Sequence, residues 1–163
     1  MEASLHAPYD RNRLLMHRQR ALRDFQTGKS KAGTDFLLSW AAQDLQERLS
    51  VVTREFDASL ELMGHTGLVA SKISELASVK QICRVETLQE LLEITPDFDG
   101  LLGNEEALPI EELSVDLVVA PLCLHLTNDL TGALIQIRKA LKPDGLFLAT
   151  VPGGSTLHEL RTS

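Results

Sequence analysis

Cysteine is scarce in this chain, with only Cys83 and Cys123. Two isolated thiols build neither a disulfide framework nor a metal-ligand spacing. Both lie in apolar runs, and buried free thiols suit a reducing compartment, so a cytoplasmic location is expected. Long apolar runs are missing too. None approaches the ~18 residues of a membrane-spanning helix, and the N-terminus has no apolar segment of the kind a secretory signal carries. Positive charge is in deficit: the net charge is −7. That sign argues against DNA, whose phosphate backbone calls for clustered Lys and Arg. Internal repeats and low-complexity tracts are absent as well.

What remains is an ordinary globular composition. The 163 residues are 44% apolar and 24% charged, which is one domain's worth of chain with enough material for a core. Charge is unevenly spread. Arg11, Arg13, Arg18, Arg20, Arg23, Lys29 and Lys31 crowd the N-terminal stretch against Glu2, Asp10 and Asp24. This reads as a solvated basic helix, or as a docking face for an acidic partner, a membrane surface or RNA.

Hydrophobic spacing divides the chain. Leu14, Leu15, Ala21, Leu22 and Phe25 recur at helical spacing over 10–26, with the arginines filling the other face. A connection at 27–34 precedes a second helix over 34–50, which Thr34 or Asp35 would cap. From there strands and helices alternate. Strands are expected at 56–63, 80–86, 97–102, 115–122 and 146–151, and helices at 68–77, 87–94 and 128–141. The last helix is stopped by Lys142-Pro143-Asp144-Gly145. Alternation of this kind means βαβ units and a parallel sheet. In such sheets ligands lie beyond the carboxyl ends of the strands.

Four segments stand at those ends. Glu61-Leu-Met-Gly64-His65-Thr-Gly67 follows strand one. Its glycines allow close backbone approach to a ligand at a helix N-terminus, and equally serve an ordinary strand-to-helix turn. Glu86 follows strand two, where a carboxylate can accept two hydrogen bonds from a ribose diol or cap the next helix. Asn104 and Glu105 follow strand three, as an adenine contact or as a polar loop. Pro121 to His125 follow strand four, and His125 is either a base or a structural histidine.

Asn104-Glu-Glu-Ala-Leu-Pro109, Ser114-Val-Asp-Leu-Val-Val119, Leu124-His125, Asn128-Asp-Leu and Ala140-Leu-Lys-Pro-Asp-Gly145-Leu-Phe-Leu resemble class I S-adenosylmethionine (SAM) methyltransferases. They look closest to the branch of malonyl-carrier-protein methyltransferases and the mitochondrial complex I assembly factor of methyltransferase type. Tyr9-Asp-Arg-Asn-Arg13, Phe36-Leu-Leu and Asp44-Leu-Gln-Glu-Arg-Leu49 extend the likeness to the N-terminus.

The resemblance implies a Rossmann-like α/β fold with parallel strand order 3-2-1-4-5. A helical segment over 1–52 would precede a SAM-binding domain over 53–163, which lacks the C-terminal strands with which the family's sheet continues. It implies SAM as cofactor. Glu61 would lie near its amino-acid end and Gly64, His65 and Gly67 in the glycine loop. Glu86 would meet the ribose, Asn104 and Glu105 the adenine, and the backbone at Pro121 the methionine moiety. Met63 and His65 stand where the family's loop has glycines, and Asn104 where it has aspartate.

The expected function is methyl transfer to an unknown acceptor, small molecule or protein, with no catalytic side chain assigned. The alternative is a non-methylating assembly or interaction factor that docks a protein through the basic N-terminal helix. A dinucleotide-binding dehydrogenase shares the strand–glycine loop–helix–strand–acid order and is the third reading.

Overall fold

The computed structural model describes residues 7–29, 35–154 and 156. Two helices open the chain, α1 (Arg11–Gln26) and α2 (Phe36–Ser50). There follow β1 (Phe56–Leu62), α3 (Leu68–Ser74), β2 (Val79–Glu86), α4 (Gln89–Glu93), β3 (Asp99–Leu102), β4 (Val115–Pro121), α5 (Leu130–Ala140) and β5 (Leu141–Thr150). The five strands form one sheet in the order β3-β2-β1-β4-β5, every pair parallel. This is the expected 3-2-1-4-5.

The central strands β1, β2 and β4 are covered on both faces, as their apolar sequences require, while edge strand β3 is exposed. On one face Ala42, Leu45 and Leu49 of α2 and Val69, Ala70 and Ile73 of α3 pack on Phe56, Ile82, Leu117 and Val119. On the other, Ile137 and Ala140 of α5 join Leu60, Leu62, Val85, Val118 and Ala120. Leu117 and Val119 face one layer and Val118 and Ala120 the other, which is the two-residue alternation of a strand. Full burial of such side chains contributes roughly 1.5–3 kcal/mol each.

Helix α1 lies apart from these layers. Asp10 caps its start, accepting from the N–H groups of Asn12 and Arg13 at 2.9 and 3.2 Å. Leu22 is its single buried residue and packs with Leu15 against Leu88, Leu91 and Ile94 around α4. Asn128 clasps the chain ahead of α1, accepting from the Tyr9 N–H at 2.8 Å and donating to its carbonyl at 3.1 Å. These contacts lay α1 across the carboxyl edge of the sheet.

Local departures from the expected elements have physical causes. The Lys-Pro-Asp-Gly segment does not separate helix from strand. Leu141 already pairs with Val115, and pairing resumes at Leu117 with Leu146, so residues 142–145 bulge out of β5. Asp144 carries a left-handed φ of 61° there, and Arg54 donates to its carbonyl. Asp35 occupies the N-cap of α2 without a side-chain bond, and Thr34 lies outside the described residues.

Candidate functional site

Glu61 ends the apolar strand β1 fully buried. The register sets it directly beside Arg84 of β2. Their side chains pair at 2.6 Å, both essentially without solvent contact. The other Glu61 oxygen accepts from the Ala70 N–H in the first turn of α3 at 2.8 Å. The Arg84 guanidinium also donates to the His65 carbonyl at 2.8 Å, to the Leu91 carbonyl at 3.0 Å and to Thr95 Oγ1 at 2.5 Å. It lies 3.6 Å from Glu86.

The loop after β1 wraps this pair. A Cβ on Gly64 would fall 2.1 Å from the Glu61 carboxyl carbon, and one on Gly67 2.9 Å from the Arg84 guanidinium carbon. Both glycines are therefore dictated by the ion pair beneath them. Gly67 also adopts a φ of 74°. Met63 and His65 each hold a φ of 58° without being glycine, a conformation that costs about 1 kcal/mol or more per residue and needs support from outside.

Glu86, at the end of β2, is also fully buried. Its Oε1 accepts from the His65 N–H and its Oε2 from Arg18 of α1 at 2.8 Å. Burial pushes its carboxyl up to about 7, against the pull of Arg18; nearby Glu61 adds to the rise, while Arg84 and the His65 N–H oppose it. Arg18 reaches the Met63 carbonyl as well, at 3.4 Å. About two turns earlier on α1, Arg11 pairs with Glu105 at 2.6 Å. Arg11, Leu15, Arg18 and Leu22 thus share one helix face, spaced i, i+4, i+7 and i+11. The expected division of α1 into apolar and arginine faces is corrected here, because the two buried acids draw Arg11 and Arg18 inward.

Between α1 and the edge lies a cavity of about 480 Å³ whose walls include Arg11, Arg18, Met63, His65, Asn104 and Glu105. Thr87 Oγ1 and Glu105 Oε2 are buried polar atoms without a hydrogen-bond partner, and both residues line it. Orphaned polar atoms of this kind are rare unless a ligand or water serves them. Asn104 spends its side-chain oxygen on the N–H groups of Glu106 and Ala107, at 2.8 and 3.0 Å. Cys123 is also on the wall, where burial pushes its thiol up to about 12 and removes it as a nucleophile. Among the described residues no His, Cys, Asp and Glu cluster could hold a metal.

Of the site residues named from sequence, His65, Asn104 and Glu105 border the cavity. Glu86 stands behind Arg18. Glu61, Gly64, Gly67 and Pro121 are buried and are not among the cavity's lining residues. Arg84 was not foreseen. Its signal was an arginine inside the apolar run Ile82–Val85, which a doubly covered strand tolerates only opposite an acid.

The methyltransferase domain family matches residues 60–149, from the middle of β1 to the end of β5. The chain belongs to that family. The mouse mitochondrial arginine-hydroxylase NDUFAF5 is 35% identical over 133 residues, 79% of this chain and 38% of that protein. The malonyl-[acyl-carrier protein] O-methyltransferase of Methylovorus sp. strain MP688 is 26% identical, covering 91% of this chain and 55% of that enzyme. The chain therefore spans well under two thirds of either relative. A complex of the Haloferax volcanii Trm112 methyltransferase activator with a methyltransferase shares the fold at a TM-score of 0.66 and 20% identity, over 80% of this chain and 59% of that one. This methyltransferase-family domain thus has the Rossmann-like architecture and strand order that its sequence implied. Glu86 and Glu105 both stand at the carboxyl edge, each paired with an arginine of α1.

Proposed function

We propose that the chain holds S-adenosylmethionine in the cavity beneath α1 and forms the cofactor-binding part of a methyltransferase whose acceptor is a small molecule or a protein. The observation that carries this reading is the pair of orphaned polar atoms, Thr87 Oγ1 and Glu105 Oε2, in a 480 Å³ cavity whose wall residue Arg18 covers the buried carboxylate of Glu86. A cavity of that size suits a nucleoside-sized ligand. Glu86 would take the ribose hydroxyls in exchange for Arg18. Glu105 would accept from the adenine amino group. SAM supplies a methyl group activated by its sulfonium, so the chain's residues contribute position and exclusion of water. Residues of α1 from Arg11 to Ala21 line the cavity and would shield the ligand from water on that side.

A second reading is favoured by Met63. Its side chain occupies the cavity wall where the family's loop has glycine. A relative named an arginine-hydroxylase shows that a different activity is attributed to a close family member. In this reading the chain is an assembly or interaction factor, and Arg20 and Arg23, exposed on α1, form its docking face. The cytoplasm is the compartment that suits its free thiols.

Calorimetry with SAM and S-adenosylhomocysteine decides between the readings. Binding with a thermal shift of ~2.7 kcal/mol equivalent at a hundredfold excess over Kd supports the first. No binding by the folded chain, with binding restored in Met63→Gly, supports the second.

A further inference from the structure

We propose that Arg84 is a positioning residue for the adenosyl ligand: it locks Met63 and His65, on either side of Gly64, in their left-handed conformation and holds Glu86 in place behind the cavity wall. The inference rests on the SAM-binding reading above. Arg84 never reaches the cavity itself, being 1% exposed at its side chain. It instead makes four hydrogen bonds around the loop, to Glu61 near the end of β1, the His65 carbonyl, the Leu91 carbonyl of α4 and Thr95 beyond it, and lies 3.6 Å from Glu86.

His65 is thus held at both backbone groups. Its carbonyl accepts from Arg84, and its N–H donates to Glu86. The strained residues Met63 and His65 flank Gly64, which is packed onto the Glu61 carboxylate that Arg84 neutralises. A loop of glycines reaches this conformation without help. A loop carrying two side chains there needs a clamp, and Arg84 is the group placed to be one. A planar guanidinium can serve several acceptors at fixed angles, which an ammonium cannot do.

The test reads loop and site separately. Arg84→Lys keeps a cation beside Glu61 but gives up the fork. Amide hydrogen exchange on the ligand-free chain should show residues 63–67 exchanging roughly tenfold faster in this variant, with the amides of β1 and β4 unchanged. Affinity for S-adenosylhomocysteine should fall about tenfold. Adding Met63→Gly to Arg84→Lys should recover most of that loss, while Met63→Gly alone changes affinity less than about threefold. Additive effects, or an unchanged exchange rate at 63–67 in the folded Arg84→Lys chain, overturn the proposal. Should Arg84→Lys fail to fold, Thr95→Val removes one guanidinium acceptor and decides in its place. Faster exchange at 63–67 than in the natural chain supports the clamp, and an unchanged rate overturns it. If the natural chain binds no S-adenosylhomocysteine while the exchange pattern holds, the SAM reading fails and the loop clamp stands.

Discussion

Glu61 and Glu86 end neighbouring parallel strands, each fully buried, each beside Arg84. Their second partners separate them. Glu61 is closed in by the Ala70 N–H and by Gly64, both parts of the framework around it. Glu86 is held on its outer side by Arg18, whose side chain is 21% exposed and which comes from a helix outside the main layers. A carboxylate at a strand end can therefore serve the fold or face a ligand. What decides is whether its last partner belongs to the core or to a removable element. The inner acid is a foundation of the glycine loop, and the outer acid is the one whose outward partner comes from α1.

The largest expected effect tests the inner half of that contrast. Glu61→Gln takes from buried Arg84 its hydrogen-bonded charged partner and leaves only Glu86 at 3.6 Å, and breaking a buried pair from one side costs about 3–5 kcal/mol. Urea unfolding should show a loss of that order. A loss under about 1 kcal/mol would mean that Arg84 finds enough compensation in its other acceptors, and the inner acid would not be structural.

The outer acid should reveal itself through pH. Its folded carboxyl titrates at about 7 against an ordinary 4.5. Between those values the folded chain keeps a proton that the unfolded chain has lost, so Glu86's contribution to stability falls as pH rises across that window. The fall amounts to at most about 3 kcal/mol. Glu86→Gln should flatten this slope in a series of unfolding curves from pH 4.5 to 8, and should also weaken S-adenosylhomocysteine at pH 8. An unchanged slope would show that burial of Glu86 is relieved by its cations and that the ionised form is the stable one.

How much of this was legible follows the same line. Alternation of apolar runs gave the helices and strands within a few residues, because a doubly covered sheet leaves its strands little else to be. The strand-end rule led to Glu86 and Glu105. It could not separate Glu61 from them, since sequence position carries no record of which partner a carboxylate meets. Arg84 and Glu61 are 23 residues apart in sequence and become partners only through strand register. Arg11 and Arg18 looked like part of a basic surface because their count was visible and their facing acids were not. The spacing with Leu15 and Leu22 held the clue.

Arg18→Gln sharpens the comparison from the removable side. It exposes Glu86 to the cavity with only Arg84 and the His65 N–H to support it, and drives its carboxyl further upward. The expected cost is about 1–2 kcal/mol, smaller than for Glu61→Gln because solvent screens the lost pair and can reach the site. A cost as large as that of Glu61→Gln would make the two acids equivalent.

The smallest effect concerns α1 alone. Asp10→Ala removes two capping bonds and should cost about 1 kcal/mol. Hydrogen exchange should place that cost in α1, with the amides of β1, β2 and β4 unmoved, because only Leu22 of α1 is buried. Faster exchange spreading into the sheet would show that α1 is as integral as the core helices. Arg18 would then be no more exchangeable than Arg84, and an adenosyl ligand would have to share Glu86 with a fixed guanidinium.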